Sequence, residues 1–94
     1  MSTRVLTYPR VLTLYTGNGC HLCAKGQEVA EPVALANGWT LEKISITGDA
    51  ALTAAYGIRI PVLRTPSGAE LGWPFSPGQV RRLLVAETAG SPGR

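Results

Sequence analysis

The stretch that decides the fold of this chain is Thr16-Gly-Asn-Gly-Cys20-His-Leu-Cys23. A short apolar run at residues 11–15 precedes it, and a segment at residues 21–36 with the composition of a helix follows it. Glycine and asparagine between these two segments are typical of a turn. The sequence therefore predicts a strand, a turn and a helix, with a C-x-x-C pattern where the helix begins. This placement is typical of thiol–disulfide redox chemistry.

The spacing of the two cysteines suits a reversible disulfide. Residues i and i+3 at the beginning of a helix share a face, with Cα atoms about 5–6 Å apart, a separation that a disulfide tolerates. We expect Cys20 at the helix N-terminus, where unpaired N–H groups and the helix dipole favour a thiolate. Cys20 is thus the predicted nucleophile, and Cys23 is the predicted resolving thiol. A protonated His21 would add positive charge beside Cys20.

Two other interpretations of the cysteines stay open. They can be inert core residues, or they can form half of a metal site. A structural zinc site needs four ligands, whereas the chain has two cysteines and one histidine. A metal would therefore need further ligands from another chain or from a bound thiol.

Length and composition fit one small globular domain. The chain has 94 residues, of which 45% are hydrophobic and 16% are charged, an ordinary balance. The net charge of +3 comes from scattered basic residues, which argues against a nucleic-acid interface. No apolar run approaches the roughly 18 residues of a membrane span, and the first residues lack the apolar centre of a signal peptide. We expect a cytoplasmic protein, in which a cysteine pair is more often catalytic or metal-binding than structural.

The remaining segments predict an alternating order of strands and helices. Strands are expected at residues 11–15, 40–46, 60–64 and 69–72, and helices at residues 21–36, 50–56 and from residue 77. In the first helix, Leu22, Val29 and Val33 lie at helical spacing. Asp49 and Ser76 are the predicted caps of the other two helices, with Gln79 completing a capping box.

The order β-α-β-α-β-β-α predicts an α/β fold with a mixed four-stranded sheet and helices on both faces. Short β-α-β units imply parallel strands, and the last hairpin is expected to add an antiparallel edge. The domain is predicted at residues 10–87. Residues 1–9 are expected to form a tail or an extra edge strand, and residues 88–94 a flexible tail.

At this point the residues resemble a known family, the thioredoxin-fold proteins, and among them small glutaredoxin-like proteins. The resemblance covers roughly residues 10–87. It rests on the C-x-x-C pattern after the first strand, on Ile60-Pro61 before the hairpin, and on the element order. The stretch at residues 72–77, Gly-Trp-Pro-Phe-Ser-Pro, suggests a bacterial glutaredoxin-like subgroup of poorly defined function.

The resemblance implies a cis peptide bond at Ile60-Pro61, facing the cysteines. The backbone N–H and C=O of Ile60 would then pair with an extended substrate. Without the resemblance, a trans proline at the beginning of a strand is the expectation. His21 and Leu22 replace the proline and tyrosine usual between glutaredoxin cysteines, and we count them with the substrate-binding residues.

The chain departs from the glutaredoxin pattern where glutathione is held. Residues 16–19 contain no positive charge, although many glutaredoxins have a lysine there for a glutathione carboxylate. Arg59 and Arg64 are the candidates to replace that lysine, and the helix N-terminus at Ser76 is the candidate to bind the other carboxylate. No cofactor and no metal are expected, and glutathione is a candidate reductant.

Two aromatic residues near the last helix, Trp73 and Phe75, have two interpretations. They are predicted either to form an apolar platform for a protein substrate or to belong to a satellite core under the helix.

The leading hypothesis is a monomeric thiol–disulfide oxidoreductase that acts on protein or glutathione mixed disulfides. Glutathione or a reductase would regenerate it, and neither nucleic acid nor a membrane is expected as a partner. The alternative is a non-catalytic binding module, or one that carries an iron–sulfur cluster or another metal.

Overall fold

The computed structural model describes residues 10–89 of the chain. Its elements confirm the predicted order; they are β1 Val11–Thr16, α1 His21–Ala36, β2 Thr40–Ser45, α2 Ala50–Tyr56, β3 Val62–Arg64, β4 Glu70–Gly72 and α3 Pro77–Ala89. The expected N-terminal tail or edge strand at residues 1–9 lies outside the described residues, as does the expected tail from residue 90 onward. Residues 88 and 89 extend α3 beyond the predicted domain boundary at residue 87.

The strands form one mixed sheet in the order β2-β1-β3-β4. Strand β1 is central: it pairs in parallel with β2 and antiparallel with β3, and β3 pairs antiparallel with β4. Leu12 and Leu14 of β1 are buried on one face of the sheet, whereas Tyr15 faces the other side. Because both faces of β1 are covered, its side chains are mostly apolar, with Thr13 and Thr16 as the polar exceptions.

Helices cover both faces of the sheet, as predicted. The larger core lies between the sheet and the pair α1 and α3, and its buried members are Leu12, Leu14, Ala30, Ala34, Trp39, Leu63, Phe75, Val80 and Leu84. A smaller core lies under α2 on the opposite face, built on Ile46, Tyr56 and Val62. Both predicted caps are present. Asp49 accepts the Leu52 N–H at 2.9 Å, and Ser76 and Gln79 form a reciprocal capping box.

The direction of β3 differs from the expectation. The sequence pattern predicts a parallel β2-α2-β3 unit, but β3 runs antiparallel to β1. Helix α2 has seven residues and is therefore about 10 Å long, which matches about two strand spacings across the sheet. It is too short to return the chain along the length of a strand. Strand β3 therefore begins where β1 and β2 end, with Val62 opposite Tyr15.

The buried face of α1 also differs from the expectation. It consists of Cys23, Gly26, Ala30 and Ala34, whereas Val29 and Val33 are only partly buried and Leu22 is exposed. The apolar spacing seen in the sequence is therefore displaced from the face that meets the core. Small side chains on this face let the helix lie close to the residues beneath it.

A polar cluster ties α2 to the β3–β4 hairpin. The Tyr56 hydroxyl donates to Glu70 Oε2, and Arg59 and Arg64 form ion pairs with the same carboxylate at 3.0 and 3.2 Å. The ring of Tyr56 stacks on Tyr15 of β1, with centroids 4.5 Å apart. The hydrogen bond from Tyr56, reinforced by Arg59, lowers the pKa of Glu70. The same bond and burial raise the pKa of Tyr56.

Glu70→Gln is expected to destabilise the fold at neutral pH by about 1 kcal/mol, because the variant keeps the shape and loses the charge. The pKa of Glu70 is lowered in the folded state from its ordinary value of 4.5. Its contribution is therefore present above that value and is lost as the pH falls through the lower folded-state pKa.

Thermal unfolding across acidic and neutral pH measures this effect. The Tm of the variant should lie about 5 °C below that of the wild type at neutral pH, and the gap should close in acid. Glu42→Gln, at an exposed position of β2, is the matched control and should leave Tm unchanged. A gap that persists at low pH would contradict an electrostatic role for Glu70.

Candidate active site

The turn after β1 places Cys20 as the N-cap of α1. The Cys20 N–H donates to the Gly17 carbonyl at 3.3 Å, and Gly19 takes a positive φ of 71°, which glycine adopts without strain. Cys20 has extended backbone angles, and its Sγ accepts the Cys23 N–H at 3.1 Å. The sulfur therefore stands where serine or aspartate oxygens usually cap a helix.

Cys20 and Cys23 form a disulfide, with Cα atoms 5.3 Å apart. Their surroundings are unequal: Cys20 is half-buried, whereas Cys23 belongs to the buried face of α1 and is 5% exposed. An incoming molecule can therefore reach the sulfur of Cys20 more easily than that of Cys23. This asymmetry is the one that a nucleophile and a resolving thiol require.

The side chains between the cysteines are exposed. His21 and Leu22 both point to solvent at the beginning of α1. The first turn of α1 contains no acidic residue. The N–H groups of this turn therefore stabilise negative charge on the Cys20 sulfur, and no carboxylate of the same turn repels it.

Pro61 packs against α1 at Gly26, one turn after Cys23. The Ile60-Pro61 peptide bond is cis, and Pro61 is buried. A Cβ added at Gly26 would lie 3.1 Å from Pro61 Cγ. The Ile60 side chain reaches the turn before Cys20, since a Cβ added at Gly17 would lie 2.8 Å from Ile60 Cδ1.

The expected pairing of the Ile60 backbone with a substrate needs a correction. The Ile60 N–H donates to the Tyr56 carbonyl at 3.1 Å, at the end of α2. This donor is already used inside the chain, so only the carbonyl of Ile60 is left for an extended substrate. The physical reason is that α2 ends close to the beginning of β3 and captures the N–H that would otherwise face outward.

Of the two interpretations of Trp73 and Phe75, the substrate platform is wrong for Phe75. Phe75 is buried in the larger core, and its ring lies 3.3 Å from the position of a Cβ at Gly26. Trp73 is half-buried and packs edge-on against Phe75, with centroids 5.0 Å apart. Its backbone N–H donates to the Pro61 carbonyl at 3.1 Å. Phe75 therefore belongs to the core, and Trp73 holds the segment that carries Pro61.

The arginines predicted to replace a glutathione-binding lysine are engaged elsewhere. Arg59 and Arg64 both pair with Glu70 on the α2 side of the sheet. The N–H groups at the start of α3 include one that donates to Ser76 Oγ, and the Ser76 N–H donates to Gln79. Both arginines therefore pair with Glu70, and one of the N–H groups at the start of α3 is used by its own cap.

Sequence reasoning missed Gly26, the residue one turn after Cys23 at which α1 lies close to Pro61 and Phe75. The signal was the spacing, since Cys20, Cys23 and Gly26 continue along one helix face at intervals of three. It also missed the second cis peptide bond, at Trp73-Pro74.

Within residues 10–89, no group of three or more His, Cys, Asp and Glu side chains is placed to hold a metal ion. None of the helices in this range is long and apolar enough to cross a membrane.

The fold and the site together define a class. A mixed β2-β1-β3-β4 sheet with helices on both faces, and a C-x-x-C pair capping the first helix, is a thioredoxin fold with a dithiol–disulfide site. The family model described as the glutaredoxin-like domain (DUF836) matches residues 11–85. The chain belongs to this glutaredoxin-like family.

Solved structures of similar proteins agree with this assignment. The X-ray structure of the protein XcR50 from X. campestris is 45% identical, with a TM-score of 0.68, over 80% of this chain and 96% of that one. The solution structure of Ne2328 from Nitrosomonas europaea is 31% identical, with a TM-score of 0.62, over 82% of this chain and 93% of that one. A comparison with curated proteins finds no match.

Gly26→Ala tests the close contact between α1 and Pro61. Alanine favours a helix over glycine by up to about 1 kcal/mol, but its methyl group would press on the rigid Pro61 ring and on Phe75. Overpacking of this kind costs about 1–3 kcal/mol, so we expect a net loss of stability of about 1 kcal/mol.

Urea unfolding of the variant measures the loss. Gly78→Ala in α3 is the matched control, because a Cβ there meets nothing closer than 3.7 Å; it should raise stability by roughly 0.5 kcal/mol. If both variants are more stable than the wild type, a methyl group at position 26 does not clash with Pro61.

Proposed function

We propose that this protein is a thiol–disulfide oxidoreductase that uses Cys20 and Cys23 as a redox-active dithiol. The observation that carries the proposal is the position of the Cys20 sulfur. It caps α1, accepts the Cys23 N–H, and lies bonded to the buried sulfur of Cys23. The same two sulfurs can therefore alternate between a disulfide and a thiolate that the helix N-terminus stabilises.

The reaction proceeds by two thiol–disulfide exchanges. The Cys20 thiolate attacks one sulfur of a substrate disulfide, forming a mixed disulfide and releasing the other substrate sulfur as a thiolate. The Cys23 thiolate then attacks Cys20 Sγ, forming the internal disulfide and releasing the second substrate sulfur. Two electrons pass from the dithiol to the substrate disulfide, and the two released thiolates take up protons.

Regeneration requires an external thiol reductant. Glutathione or a reductase would supply two electrons to the Cys20–Cys23 disulfide and return both sulfurs to the reduced state. Because disulfides are kept reduced in the cytoplasm, that compartment supplies a suitable reductant. We propose that the domain works there as a monomer, on protein or glutathione mixed disulfides.

Cys23→Ser should trap the mixed disulfide. The variant keeps the nucleophile but lacks the resolving thiol, so turnover should be lost while one substrate thiol stays attached to Cys20. Mass spectrometry after incubation with a protein disulfide or with oxidised glutathione measures the adduct. Cys20→Ser is the control and should give neither turnover nor an adduct. A wild-type protein that reduces no disulfide with any reductant would contradict the proposal.

The pH dependence of alkylation provides a separate test of the helix-capping argument. In Cys23→Ser, the backbone N–H of residue 23 is retained, so the Cys20 sulfur keeps its donor. The rate of alkylation of Cys20 by iodoacetamide should reach half its maximum well below the pKa of free cysteine, about 8.5. A midpoint at or above that value would show that the helix N-terminus does not activate Cys20.

A further inference from the structure

The turn that carries Cys20 is built from residues that fix its backbone only weakly. Gly17 and Gly19 flank Asn18, and glycine has more backbone freedom to lose on folding than any other residue. The bond from the Cys20 N–H to the Gly17 carbonyl at 3.3 Å closes the turn, but it does not attach the turn to another part of the domain. Contacts with other segments must therefore keep the Cys20 sulfur at the beginning of α1.

The segment between β2 and α2 supplies such a contact through Thr47. The Asn18 N–H donates to Thr47 Oγ1 at 3.0 Å, across 29 positions of the chain. A Cβ added at Gly17 would lie 3.8 Å from the same hydroxyl oxygen. Beside this contact, the Ile46 N–H donates to the Thr16 carbonyl at 2.8 Å. The Thr47 hydroxyl therefore attaches the middle of the cysteine turn to the segment that follows β2.

The backbone around Thr47 is itself held, so the hydroxyl is a fixed acceptor. The Thr47 N–H donates to Ser45 Oγ at 3.2 Å, and the Asp49 N–H donates to the Ile46 carbonyl at 3.0 Å. The same carbonyl accepts the hydroxyl of Thr53, in α2, at 2.9 Å. These bonds attach the segment that contains Thr47 to both β2 and α2.

We infer that Thr47 is a positioning residue for Cys20, whose sulfur it keeps at the N-terminus of α1 by holding the glycine-rich turn. The inference rests on the proposed oxidoreductase function and adds to it a residue outside the C-x-x-C motif. Thr47 acts through the turn and takes no part in the exchange itself. Without its hydroxyl, the turn samples other conformations, in which the sulfur lies away from the N–H groups that stabilise its thiolate.

The substitution that removes this hydrogen bond changes no charge. Thr47→Val replaces the hydroxyl by a methyl group and keeps the β-branched shape. Because Thr47 is exposed, the valine displaces no core side chain. The titratable side chains next to these segments in sequence, His21, Asp49 and Arg59, stay the same in every variant. A shift in the pKa of the Cys20 thiol therefore reports the position of the sulfur relative to the helix.

Alkylation of Cys20 by iodoacetamide, followed from acidic to alkaline pH, tests the inference. Every protein compared carries Cys23→Ser, so that Cys20 is the remaining thiol. Thr47→Val should raise the midpoint of the alkylation rate by about half a pH unit, the low end of what the loss of one hydrogen bond does. Below the midpoint the rate should fall about twofold, whereas at alkaline pH, where the thiol is fully ionised, it should not fall.

Three further substitutions complete the test. Thr47→Ala also lacks the hydroxyl and should show the same rise, whereas Thr47→Ser keeps the hydroxyl and should keep the midpoint of the reference protein. Thr40→Val is the matched control, because Thr40 lies at the opposite end of β2, beside Val11; it should leave the midpoint unchanged. The Tm of each variant is measured in parallel, since a hydroxyl that only stabilises the fold would lower Tm and leave the midpoint where it is.

The outcomes separate the inference from the function on which it rests. An unchanged midpoint in Thr47→Val and Thr47→Ala would overturn the inference and leave the oxidoreductase standing. An equal rise in Thr47→Ser would overturn it as well, because the hydroxyl is then not the group that acts. A reference midpoint at or above about 8.5 would leave no activated thiolate for Thr47 to position, and the inference would fail. The oxidoreductase function is decided separately, by whether the wild-type protein reduces a disulfide.

Discussion

The shortness of α2 is the constraint on which the site depends. A helix of seven residues can carry the chain sideways over the sheet but cannot return it along a strand. Strand β3 must therefore begin at the end of the sheet where β1 stops, antiparallel to it. The turn that ends in Cys20 leaves β1 at that same end. A residue at the beginning of β3 and a residue at the beginning of α1 are thus neighbours, although about 40 positions separate them in the chain.

Close packing then converts this topology into a site of fixed shape. Gly26 lies one turn beyond Cys23 on the buried face of α1, and Pro61 and Phe75 fill the space that a side chain would take. The absence of a side chain lets α1 approach the beginning of β3 directly. The position of the cysteines consequently depends on core packing, because moving α1 away from Pro61 would also move Cys23.

The parts of the fold that the sequence predicts are those decided by near neighbours. The turn before Cys20, the caps at Asp49 and Ser76, and the order of the elements follow from residues a few positions apart. The burial of Phe75 depends on packing between distant segments. The direction of β3 depends on the length of α2, and the Ile60 N–H bonds to Tyr56, only four positions earlier. The burial of Phe75 could not be predicted from local spacing. The direction of β3 could have been, because the helix predicted at residues 50–56 is too short to return the chain along a strand.

The reactivity of the site and its selectivity depend on different parts of the chain. The reactivity of Cys20 depends on a cap made by neighbours in α1, and any chain that places a thiol there inherits it. The charge around that sulfur depends on distant residues, because Glu70 of β4 holds Arg59 and Arg64 on the opposite side of the sheet. The Glu70 carboxylate that stabilises the hairpin therefore also pairs with the positive charge of Arg59, which lies in the segment that leads to Pro61. Under the proposed function, the C-x-x-C pattern accordingly predicts the reaction, whereas the choice of disulfide substrate would depend on contacts that lie outside the motif.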